Sequence, residues 1–160
     1  MKEKKAIQDY YSKPMSQCYG CGRLNDAGLK IKSYWDGVES FASFEPKSYH
    51  IAFPGFVYGG LIASLIDCHG TGTAAAAAYQ AEGREMGTEP ELRFVTASIQ
   101  VNYLKPTPIN CILELKGKVK ELKGKKVITE VTLSAENEIC AKGEVVTIRI
   151  PDNMKLTNKV

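Results

Sequence analysis

Tyr58-Gly59-Gly60-Leu61-Ile62-Ala63-Ser64-Leu65-Ile66-Asp67, entered through Phe53-Pro54-Gly55, is the stretch on which the reading of this chain turns. It describes an apolar helix that opens on two glycines and carries one carboxylate. At about 100° per residue, Leu61, Ile62, Leu65 and Ile66 fall on one broad side of the helical wheel. Gly60, Ala63, Ser64, Asp67, Thr71, Ala74 and Ala75 gather on the other. The second side is polar but small, a pattern that suits close packing better than solvation. An ionised carboxylate placed there needs a partner or a task, because burying its charge alone is expensive.

The helix is expected from about Gly59 to Gln80, with Gly70 and Gly72 marking places where another part of the chain comes close. Before it lie two alternating segments, Leu29 to Trp35 and Val38 to Phe44, joined by the hairpin signal Asp36-Gly37. After it come Leu92 to Leu104, Cys111 to Glu121, Lys126 to Ala135 and Glu138 to Ile150, expected as four strands in a meander. A lone helix needs apolar cover, which a curled antiparallel sheet of five or six strands supplies. The reading is therefore α+β. Residues 1–16 form an N-terminal arm or short helix, 17–150 the single domain, and 151–160 a polar tail.

Composition bounds the function. The chain has 160 residues, 44% hydrophobic and 24% charged, as an ordinary globular domain does. Its net charge of +3 is mild and selects no polyanionic partner. No apolar run approaches the ~20 residues of a membrane span, and the N-terminus lacks the apolar core of a secretory signal. Five cysteines, an odd number, point to a reduced, cytoplasmic protein.

Free N–H groups where a helix begins can stabilise negative charge developing on a carbonyl oxygen. Gly59 and Gly60 sit there, and Asp67 is a candidate base or nucleophile. A group that polarises an acyl carbonyl plus a carboxylate that activates water makes a hydrolase. Yet Gly60 and Asp67 are seven positions apart, or about 10 Å of helix axis. That is too far to meet at one carbonyl. Two antiparallel copies of the helix would set Gly60 of one chain beside Asp67 of the other, so a dimer with composite sites is expected.

The run Pro54-Gly55-Phe-Val-Tyr58-Gly59-Gly60, with Asp67 nine positions after Tyr58, resembles the central-helix motif of hotdog-fold acyl-CoA thioesterases. The likeness is to the branch of the phenylacetate-degradation thioesterases and their mammalian relatives. Cys18-Tyr-Gly-Cys21-Gly with Asn25 and Gly28-Leu29, and Thr96-Ala-Ser-Ile-Gln-Val-Asn-Tyr-Leu-Lys-Pro106, are similar to that family too. The resemblance covers about residues 17–150. It implies a helix wrapped by an antiparallel sheet, a homodimer or dimer of dimers, and hydrolysis of acyl-CoA with no cofactor beyond the CoA of the substrate. It also implies Asp67 as base or nucleophile, the Gly60 N–H as carbonyl polariser from the partner subunit, and Thr96 as the hydroxyl that orients water. The family usually has His where this chain has Tyr58, which still donates a hydrogen bond but is bulkier and uncharged near neutral pH. Rival readings are a non-catalytic acyl-CoA binder and a hotdog dehydratase or hydratase.

Gly59, His50, Ser64 and Lys105 complete the candidate set as substrate contacts: His50 at the groove, Lys105 toward CoA phosphates. His69 falls on the Leu/Ile side of the wheel and reads as a satisfied core histidine. Cys18-x-x-Cys21 is half of a zinc pattern, but no second CxxC or His pair follows at matching spacing, so no metal site is expected. The strip Lys116, Lys118, Lys120, Lys123, Lys125 and Lys126 reads as a solvated edge that resists strand pairing. It lacks the interleaved aromatics that RNA binding wants.

Overall fold

The computed structural model describes residues 4–154 and 156. One long helix, α1 (Gly59–Ala81), lies against a six-stranded antiparallel sheet. The strands are β1 (Ser33–Trp35), β2 (Glu39–Phe44), β3 (Phe94–Tyr103), β4 (Leu113–Lys123), β5 (Lys126–Ala135) and β6 (Glu138–Arg149). This is the expected α+β architecture. Alternation makes the sheet one-sided: along β5, Val127, Val131, Leu133 and Ala135 are buried, whereas Glu130 points outward. Opposite them Leu65 and Ile66 are fully buried. Removal of either side chain to Ala would cost about 2–5 kcal/mol.

The turns follow their residues. Glu136 and Asn137 both have positive φ, the requirement of a two-residue hairpin loop, and Gly124 meets it between β4 and β5. At Asp36-Gly37 the hairpin forms with a longer turn. Asp36 Oδ1 accepts from the Val38 and Glu39 N–H groups at 2.8 Å each, and Trp35 pairs with Ser40.

The sheet order is β1-β2-β4-β5-β6-β3, which corrects the expected four-strand meander. Only β4, β5 and β6 are consecutive neighbours; β3 crosses to the far edge and pairs with β6. The segment after β3, rich in proline, does not turn back on it. Val57 N–H donates to Thr107 O at 2.8 Å and Ile109 N–H to Gly55 O at 3.0 Å, so the segment docks on the entry to α1 instead. The lysine strip is corrected as well. β4 is an interior strand, and its lysines are neutralised on the outer face rather than guarding an edge. Lys116 and Lys118 pair with Glu39, and Lys120 pairs with Glu144 and Glu130.

The N-terminal segment forms two 3-10 turns, Ile7–Tyr10 and Pro14–Gln17, and buries Ala6, Ile7 and Gln8. Residues 1–3, 155 and 157–160, and with them half of the expected tail, lie outside the described residues. No helix among the described residues is long and apolar enough to cross a membrane.

Gln8 closes a buried polar network around His69, which is fully buried. Its Nδ1 lies 2.8 Å from Ser33 Oγ and its Nε2 2.9 Å from Ser40 Oγ. Thr73 spends its proton on the His69 carbonyl at 2.7 Å, so it accepts from Ser40 at 2.5 Å. Ser40 then accepts from His69 Nε2–H, which leaves Nδ1 to accept from Ser33, itself held by Gln8 Nε2 at 3.3 Å. Burial holds the ring neutral, its pKa pushed down to about 4. The histidine is structural, as its place on the wheel implied.

Candidate active site

Along α1, Gly59, Gly60, Ala63, Ser64, Asp67, Cys68, Thr71 and Ala77 are the half-covered positions, while Leu61, Ile62, Leu65, Ile66 and His69 are buried against the sheet. Ala74 and Ala75 depart from the wheel. They are 0% and 5% exposed, packed by this chain's own Tyr79, Leu92 and Phe94. Beyond Thr71 the small-residue side of the helix is closed over at Ala74 and Ala75.

Asp67 meets β3. Thr96 Oγ1 donates to Asp67 Oδ1 at 2.5 Å, and Thr71 Oγ1 lies 3.3 Å from Thr96 Oγ1. The ladder between β3 and β6 slips between Thr96 and Ser98, and such a bulge re-aims a side chain next to a site. Burial pushes the Asp67 carboxyl up from its ordinary value; the Thr96 hydrogen bond opposes this and the Cys18 charge adds to it. A carboxylate partly stripped of water, with one oxygen held by a hydroxyl, is a competent proton acceptor or nucleophile.

Neither glycine at the mouth of α1 has positive φ, and of the two only Gly60 is crowded. The Tyr58 ring folds back over Gly60, and a Cβ there would overlap it. The Tyr103 ring covers Gly59 from the other side at 3.5 Å, and its hydroxyl donates to Gly59 O at 2.7 Å. The helix ladder begins only with Leu61 N–H donating to Tyr58 O at 3.1 Å.

Other candidates are dispersed. Ser64 Oγ donates to Gly60 O at 2.9 Å. His50 accepts on Nδ1 from Lys47 N–H at 2.9 Å and faces a separate cavity of about 460 Å³ with Tyr19, Lys30, Lys47 and Tyr49. Lys105 is ion-paired with Glu138. Neither histidine lines the cavity that holds Asp67.

That cavity, about 180 Å³, has Asp67, Thr71 and Thr96 on one side and Cys18, Cys21 and Cys68 on another. The sulfurs of the three cysteines lie within 4.8 Å of one another. Hydrogen bonds from the Cys21 and Cys68 thiols, and from the Cys21 and Gly20 amides, hold the Cys18 thiol far below its ordinary range against burial. Cys21 and Cys68 are pushed up, first by their hydrogen bonds to Cys18. Sequence spacing revealed only the first two cysteines. The third comes from α1, forty-seven positions after Cys21, and no local pattern marks it. Thr71 was already placed on the Asp67 side of the wheel, whereas nothing local singled out Tyr103 as a neighbour of Gly59.

A helix cradled by a curled antiparallel sheet, with one carboxylate on its uncovered stripe beside a strand hydroxyl, defines the hotdog class. The profile of the thioesterase superfamily matches residues 54–142, and the chain belongs to that superfamily. A thioesterase superfamily protein from Shewanella loihica PV-4 is 46% identical, with TM-score 0.68 over 90% of this chain and 99% of that one. The acyl-coenzyme A thioesterase THEM4 of Xenopus laevis is 32% identical over 95 residues, 59% of this chain and 37% of that protein. The chain thus spans less than half the length of this curated relative. The PaaI protein of the E. coli phenylacetic acid degradation operon shares the fold at 14% identity, with TM-score 0.63 over 77% of this chain and 81% of its own. So does the smu.793 protein of Streptococcus mutans, solved bound to acetyl CoA, at 16% identity and TM-score 0.63 over 80% of this chain and 96% of its own.

Proposed function

We propose that this protein hydrolyses acyl-CoA thioesters to a carboxylic acid and CoA, with no cofactor beyond the CoA of the substrate. The carrying observation is the half-buried Asp67 with its Oδ1 held by Thr96 at 2.5 Å on the uncovered stripe of α1. The thioester carbonyl docks on the Gly60 N–H of one subunit. Asp67 of its partner takes a proton from water, the hydroxide adds to the carbonyl, and the C–S bond breaks as the thiolate collects a proton. In the alternative route Asp67 attacks the carbonyl itself, giving a mixed anhydride that water then opens.

Three features support a composite site. Gly60 and Asp67 of one helix are about 10 Å apart along its axis. β3 is the outer strand of the sheet, and it leaves Val95 50%, Ile99 39% and Tyr103 53% exposed beside the small-residue stripe. The cavity of about 180 Å³ is smaller than the ~300–1,000 Å³ of sites for drug-sized ligands, as half of a shared groove would be. His50, Ser64, Gly59 and Lys105 are proposed to contact the substrate at the mouth of that groove. Five unpaired thiols suit a reducing compartment, the cytoplasm.

The ring of Tyr58 over Gly60 favours one second reading, an acyl-CoA binder without turnover. Thiol release from short, aromatic and long acyl-CoAs, on wild type and Asp67→Ala, separates the two. Release that is lost in the variant supports hydrolysis; binding without release supports the second reading. Undiminished release in the variant overturns the role of Asp67. Incorporation of oxygen-18 into the Asp67 carboxylate during a single turnover marks the anhydride route.

A further inference from the structure

We propose that Cys18, Cys21 and Cys68 bind a zinc ion that ties the N-terminal loop to α1. A tetrahedral zinc at about 2.3 Å from each thiolate sets its sulfurs about 3.8 Å apart. Cys18 Sγ and Cys68 Sγ are 3.8 Å apart, and all three sulfurs lie within 4.8 Å of one another. A disulfide would need two of them at about 2.05 Å and would leave the third thiol unused.

The loop is shaped for this role. Gly22 N–H donates to Cys18 O at 2.7 Å, which closes the Cys18–Gly22 turn and brings Cys18 and Cys21 to one side. Gly20 has no room for a side chain, because a Cβ would overlap Cys68 Sγ. At Gly22 a Cβ would come within 2.5 Å of Cys18 N, Cys18 O and Ser16 O. Gly20 thus lets the loop press onto Cys68, and Gly22 lets the loop close on itself around Cys18. Three thiolates select a soft, thiophilic ion. They leave one tetrahedral position for a water from the cavity that the cysteines share with Asp67.

The test is metal content. Protein expressed with added zinc and purified without chelator is assayed by mass spectrometry, and apoprotein is titrated with zinc chloride against a chromophoric chelator. One zinc per chain is expected. Cys18→Ser, Cys21→Ser and Cys68→Ser should each weaken binding by more than the ~10–100-fold that loss of an outer hydrogen-bond partner costs, with Cys111→Ser unchanged. Cys18 is the exposed member of the three, so its variant is the least exposed to folding defects. Cobalt(II) added to the wild-type apoprotein should give sulfur-to-metal charge-transfer bands without recourse to any variant. Wild type with no more zinc than the Cys18→Ser variant, copper in place of zinc, or a zinc-free Cys18–Cys68 disulfide would each overturn the assignment.

Discussion

The Tyr58 ring occupies the space that a side chain on Gly60 would need. Gly60→Ala therefore pushes the ring outward. Tyr58 is already 58% exposed and can turn into solvent. Helix propensity favours Ala over Gly by about 1 kcal/mol. The thermal midpoint should barely move. The displaced ring and the added methyl group, however, crowd the approach to the Gly60 N–H, the donor proposed to hold the thioester carbonyl. Loss of one oxyanion donor costs about 10²–10³-fold in kcat, and steady-state thiol release should fall by a comparable factor.

Asp67→Asn keeps the shape of the site and removes the proton acceptor. Turnover should fall by about 10²–10⁴-fold, the usual contribution of a general base. Because burial disfavours the charged carboxylate, the variant should unfold at the same or higher urea concentration. Thr96→Val should lower kcat less than Asp67→Asn does. A Thr96→Val enzyme as slow as the Asp67 variant would mean that the hydroxyl does more than orient.

Gly60→Ala and Asp67→Asn provide a second test when combined. A heterodimer of the two inactive chains holds one site with both defects and one with neither. Mixing them under conditions that exchange subunits should restore thiol release from inactive parents. Ile99→Lys, on the exposed part of β3, should shift the protein to monomer by light scattering and abolish activity with it. A fully active monomer would refute the composite site.

Ser40→Ala leaves His69 Nε2–H without its partner in a site with no solvent. An unsatisfied buried donor costs about 1–3 kcal/mol. Gly117→Ala should cost about 1–3 kcal/mol through overpacking, since its Cβ would sit 2.7 Å from Thr73 Oγ1 and overlap Ser40 Oγ. Both losses are read from urea unfolding midpoints at constant m. The pair should be less than additive, because each change disrupts the same hydroxyl.

What the sequence disclosed was periodic or local. The Leu61, Ile62, Leu65 and Ile66 spacing announces the face of α1 that meets the sheet. The same wheel puts His69 inside, and Glu136-Asn137 forms the turn its residues favour. Relations made through space left no trace in the spacing. The pairing of β3 with β6 depends on where the segment around Thr107 docks, and Cys68 joins Cys18 and Cys21 only once the loop is laid on the helix. Ala74 and Ala75 share a wheel side with Asp67, yet Leu92 and Phe94 from elsewhere cover them. A wheel records direction, not who arrives there.

Gln8 has a consequence for how this protein can be divided. The stretch shared with the superfamily starts at residue 54, yet the proton order around His69 is terminated by a side chain forty-six positions earlier. The match to the superfamily profile is therefore shorter than the folded unit it belongs to. A fragment trimmed to the shared stretch would keep Asp67 and Thr96 but lose β1, β2 and the donor that fixes the imidazole, and it should melt as a loosened core rather than as a smaller enzyme.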